Sequence, residues 1–116
     1  MSTAYRRVLD QVTKIRGVRG ALFVAGEDGI VVADSVIEGI KPNAVAALAC
    51  SLARRVRLAA DSAGVGAPEF VHVQAIAGTV CVVPATANML VVVIAEPEVN
   101  VGLLRLAMRK AAEVGA

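Results

Sequence analysis

His72 is the single histidine of the chain, which makes it the first place to look for proton transfer or a metal. Its nearest candidate partners in sequence, Glu69 and Gln74, compose neither an acid–base dyad nor a ligand set with it. A lone histidine beside apolar neighbours on a strand reads as a packed or interface residue. Ser35, Ser51 and Ser62 lack the strand–turn–helix setting of an exposed nucleophile, and Ser51 falls inside a predicted helix. Gly26-Glu27-Asp28-Gly29 is a turn between two strands and does not open a helix, so it is a poor cradle for a nucleotide phosphate. Cys50 and Cys81 have no CxxC or Cys/His spacing and fit small buried hydrophobes in a reducing cytosol. The expectation is a protein that is not an enzyme, with no catalytic residue, no cofactor and no metal site.

The run Arg54-Arg55-Val56-Arg57 is the feature that most invites contact with something else. Helical geometry turns successive residues by about 100 degrees, so Arg54 and Arg57 share a side while Arg55 points elsewhere. Two readings compete. One is a solvated helix end in which Asp61 pairs with Arg57; the other is a docking surface for an acidic or phosphate-bearing partner. Nucleic acid is disfavoured, because the formal net charge is only +2 and aromatic residues for base stacking are nearly absent. A second basic set, Arg105, Arg109 and Lys110 with Arg6, Arg7, Lys14 and Arg16, reads as the wet side of two amphipathic helices. A small-ligand pocket in the sheet finds no convergent polar group in the sequence to support it.

The elements that must carry these residues follow from periodicity. A chain of 116 residues is one domain, 1–116, long enough to bury a core. That core must be aliphatic, since 57% of residues are apolar yet there is no Trp, one Tyr and two Phe. The longest apolar runs, Ala44 to Cys50 and Met89 to Ala95, are far short of a membrane span, so no membrane insertion is expected. The first residues carry charge but no apolar segment of a secretory signal, which points to a cytoplasmic protein. Arginine outnumbering lysine, with abundant Ala, Val and Gly, is compatible with a GC-rich bacterial genome.

Tyr5, Val8, Leu9, Val12 and Ile15 fall at helical spacing over Thr3 to Arg16, and Gly17 stops the helix. Ala21 to Ala25 and Ile30 to Ser35 flank the Gly26–Gly29 turn as a β-hairpin, with Gly29 able to take positive φ. A long helix capped by Asn43 runs to Ala63 and ends at Gly64. It has two apolar stripes. Val45, Leu48, Leu52, Val56 and Ala59 are bulky and suit the sheet; Ala46, Ala49, Cys50 and Ala53 are small and suit close approach of another helix. Strands follow over Phe70 to Ile76, with Val71 and Val73 on the side opposite His72 and Gln74, and over Val80 to Val83, ending near Pro84. Met89 to Ala95 is apolar without alternation, which requires burial on both faces. Asn100 caps a last helix from Val101 to Val114 whose inner face holds Val101, Leu104, Met108, Ala111 and Ala112. The order is α-β-β-α-β-β-β-α.

In that order, five segments resemble the Roadblock/LC7 family, which includes MglB-like regulators of small Ras-like GTPases and the dynein light chain Roadblock. They are Ile15-Arg16-Gly17-Val18-Arg19-Gly20-Ala21-Leu22, Glu27-Asp28-Gly29-Ile30-Val31-Val32-Ala33, the Ala-rich second helix, Gly78-Thr79-Val80-Cys81-Val82-Val83-Pro84, and Asn100-Val101-Gly102-Leu103-Leu104-Arg105. The resemblance spans Leu9 to Ala111. It implies an α/β (α+β) fold of profilin/longin type with one five-stranded antiparallel sheet in the order 2-1-5-4-3, the first and third helices on one face and the second on the other. It also implies a homodimer with second helices side by side and third strands edge to edge. Ala46, Ala49, Cys50, Ala53, Val71 and Val73 fall where that interface would be, and Arg54 and Arg57 where a GTPase would dock. The function implied is a non-enzymatic homodimeric adaptor or regulator of a small Ras-like GTPase. The alternative is a structural scaffold of a motor, polarity or signalling complex that leaves nucleotide turnover unchanged.

Overall fold

A computed structural model describes residues 2–114. Helix α1 (Ser2–Thr13) leads into β1 (Val18–Ala25) and β2 (Ile30–Val36), then α2 (Pro42–Ser62), β3 (Val71–Ala75), β4 (Gly78–Ala85), β5 (Met89–Ala95) and α3 (Val101–Ala112). The five strands form one antiparallel sheet in the order β2-β1-β5-β4-β3. The unalternating segment Met89–Ala95 is its central strand, paired with β1 on one side and β4 on the other. Leu90 to Val93 and Ala95 are all buried, as a strand covered on both faces requires.

Alternate residues of each strand feed two separate cores. Phe23, Cys81, Val83, Val91 and Val93 meet Leu9 and Val12 of α1 and Leu104, Met108 and Ala111 of α3. Leu22, Val24, Val82, Leu90 and Val92 meet Ala46, Ala49 and Cys50 of α2 on the other face. The two cysteines are therefore separated by the sheet, and both are free and buried. The Asn100 cap is present, its Oδ1 accepting a hydrogen bond from the Leu103 amide at 3.0 Å.

Three local expectations give way. Asn43 does not cap α2: Pro42 opens the helix, its ring presetting φ where no amide donor is needed, and Lys41 precedes it without a side-chain cap. Strand β4 continues through Pro84 to Ala85 because β3 pairing has already ended at Val71–Val82, which leaves an open side where proline is tolerated. The largest change concerns which way α2 faces. The small stripe is expected to meet a second helix, but Ala46, Ala49 and Cys50 lie against the protein's own sheet; of the bulky stripe Val45 packs half-buried beside them, whereas Leu48 is 71% exposed.

Hairpin geometry accounts for that reversal. Gly29 takes φ +69 in the β1–β2 turn, and a Cβ there would lie 3.0 Å from the Ala47 Cα and 3.3 Å from the Cys50 Cβ. The helix thus rests directly on the hairpin, which larger side chains at 46, 49 or 50 would prevent. The Cys50 thiol donates a hydrogen bond to the Gly26 carbonyl at 2.7 Å and ties the two together.

Candidate functional site at the second helix

After Cys50, no residue of α2 is fully buried. The N-terminal half of the helix sits on the hairpin, while the C-terminal half stands off the sheet. Between that half and the ends of β3, β4 and β5 lies a cleft of about 610 Å³. Cys50, Ala53, Arg54 and Arg57 line it from the helix; Val71, Val82, Leu90 and Met89 from the sheet; Ala67 and Pro68 from the loop before β3. Glu27 and Asn88 stand at its edge from two turns.

Arg54 and Arg57 therefore point to one place, as their helical spacing predicts, and Arg55 is not part of the lining. The expected pair between Arg57 and Asp61 does not form. Among the described residues the one ion pair is Arg109 with Glu69, at 3.6 Å on an open surface. The sheet thus has what the sequence did not reveal, a concavity with convergent polar groups. Glu27, Ala67, Asn88 and Leu90 are far apart in sequence, and only the topology brings them to the same end of the sheet.

Of the six residues expected in a dimer interface, Ala46, Ala49 and Cys50 are spent beneath α2, and Ala53 lines the cleft. Val71 and Val73 remain on the edge strand β3, whose outer side has no partner among the described residues. Val73 is 39% exposed and shares its strand face with Val71, which packs on the α2-side core. The outward side of α2 presents Leu48 and Leu58, both well exposed. Helical spacing places them on the same side as Arg55.

His72 is the residue whose partner sequence reasoning missed. Its Nε2 shares a hydrogen bond with the Thr79 hydroxyl across the β3–β4 pair at 3.2 Å. Thr79 is the one buried polar side chain among the described residues. The neighbouring Phe70 ring carries the Arg105 guanidinium above it, 5.0 Å from the centroid. This is a strand-pairing contact next to a cation–π contact. Glu69 is engaged by Arg109 instead, and among the described residues no group of His, Cys, Asp and Glu is placed to hold a metal ion. Burial pushes the Cys81 thiol up to about 11, so it stays protonated and unreactive at neutral pH.

A single antiparallel sheet in the order 2-1-5-4-3 with helices on both faces, an open edge strand and a half-seated second helix defines a small α+β domain of profilin-like fold. Comparison with known proteins makes the class specific. The family model of the Roadblock/LC7 domain matches residues 5–95. The Methanocaldococcus jannaschii protein MJ1340 is 32% identical over 107 residues, which cover 92% of each chain. Among solved structures, MglB of Myxococcus xanthus superposes with a TM-score of 0.85 at 19% identity, covering 95% of this chain and 89% of that one. A Roadblock/LC7 domain from Streptomyces avermitilis superposes with a TM-score of 0.84 at 19% identity, covering 91% and 89%. The chain belongs to the Roadblock/LC7 domain family, and its likeness to the two structures is one of fold.

Proposed function

We propose that this chain is a non-enzymatic homodimeric adaptor that binds a small Ras-like GTPase and modulates its nucleotide cycle. Family membership over residues 5–95 is the observation that carries this reading. Two features of the surface support it. Leu48 and Leu58 on the outside of α2, with Val73 on the β3 edge, form apolar surface that a second copy would cover. Arg54, Arg55 and Arg57 make the C-terminal half of α2 positive, which suits an acidic partner surface. The adaptor's contribution would be positioning: it offers a surface on which switch segments of the GTPase are held, while the GTPase supplies its own nucleotide chemistry. In this reading the protein works in the cytoplasm, where its two unpaired cysteines stay reduced.

The test is affinity capture of partners from native lysate in the presence of GDP or of a non-hydrolysable GTP analogue, with mass spectrometry of what is retained. A small GTPase held with the analogue and lost with GDP is the expected result. Retention of large assembly proteins regardless of nucleotide would replace this reading with the scaffold. Arg54→Glu with Arg57→Glu is expected to abolish GTPase capture and leave the dimer intact.

A further inference from the structure

The cleft beneath the C-terminal half of α2 has features that an adaptor surface does not require. Its volume, about 610 Å³, falls within the roughly 300–1,000 Å³ of small-molecule sites. The floor is aliphatic, made by half-buried Val71 over the buried Val82 and Leu90, with Ala53 as a short wall. The Cys50 thiol also faces the cleft, but its donor is used on the Gly26 carbonyl, so that wall offers no free polar hydrogen. Two guanidinium groups converge on this apolar space, and neither has an ion-pair partner among the described residues.

The opposite wall is held in place. Ala87 and Asn88 at the β4–β5 turn take φ 58 and 57, a conformation that alanine rarely adopts. The Gly26 amide donates to the Asn88 carbonyl at 2.8 Å, and a Cβ at Gly26 would come within 2.7 Å of that oxygen. A turn held in strain against the end of β1 by a glycine contact gives the cleft a fixed edge, the kind of pre-formed wall that ligand sites have.

We propose that this cleft binds a small organic monoanion, a carboxylate carried on an aliphatic body. Arg54 and Arg57 against Glu27 leave one net positive charge in the lining, which favours an anion. A guanidinium fork matches the two oxygens of a carboxylate, and the valine and leucine floor takes the hydrocarbon part. A second copy's helix or a partner's side chain would fill the cleft differently, without a need for a free carboxylate. This inference does not rest on the GTPase reading and is tested on the chain alone.

The experiment is an NMR titration of the amide-labelled full chain with octanoate, with octylamine and acetate as controls. Octanoate is expected to give saturable shifts at Gly26, Ala53, Val71 and Leu90, octylamine none, and acetate a response too weak to saturate. Arg54→Gln combined with Arg57→Gln is expected to weaken octanoate binding by about tenfold or more, the effect of losing charged hydrogen bonds. Ala53→Leu, which fills the short wall, is expected to abolish it with both arginines present. If leucine at position 53 unfolds the chain, the exposed arginine variants decide the matter. The absence of saturable shifts, equal binding of octylamine, or unchanged octanoate affinity in the double arginine variant would each overturn the proposal.

Discussion

On one face of the sheet Leu9, Phe23, Leu104 and Met108 interlock with no measurable exposure. The other face meets α2 through Ala46, Ala49 and Cys50, with Val45 and Ala53 packed half-buried beside them. Large side chains from two helices fill the first face. The Tyr5 ring packs tilted against Phe23, 4.7 Å between ring centroids, and closes its edge. On the second face, small side chains bring one end of a single helix down onto the hairpin and leave the other end standing off. Burial of bulky groups stabilises; a half-seated helix leaves apolar and charged groups available. We read the first face as the scaffold and the second as the face that binds.

The largest effect is expected on the scaffold face. Leu104→Ala removes a wholly buried side chain between α3 and the sheet and should cost about 2–5 kcal/mol in urea unfolding, the usual range for an aliphatic cavity. A loss below about 1 kcal/mol would show that this face is not the rigid one. Ala49→Arg comes next. With the small stripe against a second helix it would wedge two helices apart, but Ala49 is 6% exposed against its own sheet, so the charge should unseat α2 within one protomer. A loss of about 2–4 kcal/mol is expected from overpacking and a desolvated charge. A variant with unchanged unfolding and a broken dimer would instead place Ala49 on the outside.

A smaller effect follows from Cys81. Burial pushes its thiol up to about 11 in the folded chain, above the value near 8.5 of a free cysteine. The unfolded chain therefore loses this proton first as pH rises. The stability due to the neutral thiol is complete below about pH 8.5 and is lost as pH approaches 11. Comparing wild type with Cys81→Ala across that window should show a shallower decline in the variant, and parallel curves would argue against burial of the thiol.

Much of this architecture was legible because it is local. The unbroken run from Met89 to Ala95 required a strand covered on both sides, and it is the central one. The spacing of Leu104, Met108 and Ala111 marked the buried face of α3, and Asn100 marked its start. Periodicity told which residues of α2 share a side, including Arg54 with Arg57, but not which side meets the sheet. Bulk pointed the wrong way there, because contact with the hairpin at Gly29 rewards small side chains. The cleft was illegible for a different reason: its walls come from residues between Gly26 and Leu90 that only the folded sheet assembles. The His72 contact depends similarly on the β3–β4 register that sets it opposite Cys81 and near Thr79.

The claim that the α2 side is the association face is tested most directly by sedimentation equilibrium of the wild-type chain beside Leu58→Glu and Val73→Lys. Both side chains are exposed in the single protomer, so neither substitution should alter its unfolding by more than about 0.5 kcal/mol. The account predicts a wild-type dimer at micromolar concentration and folded monomers for both variants. A wild-type chain that stays monomeric, or variants that dimerise as tightly as wild type, would contradict it.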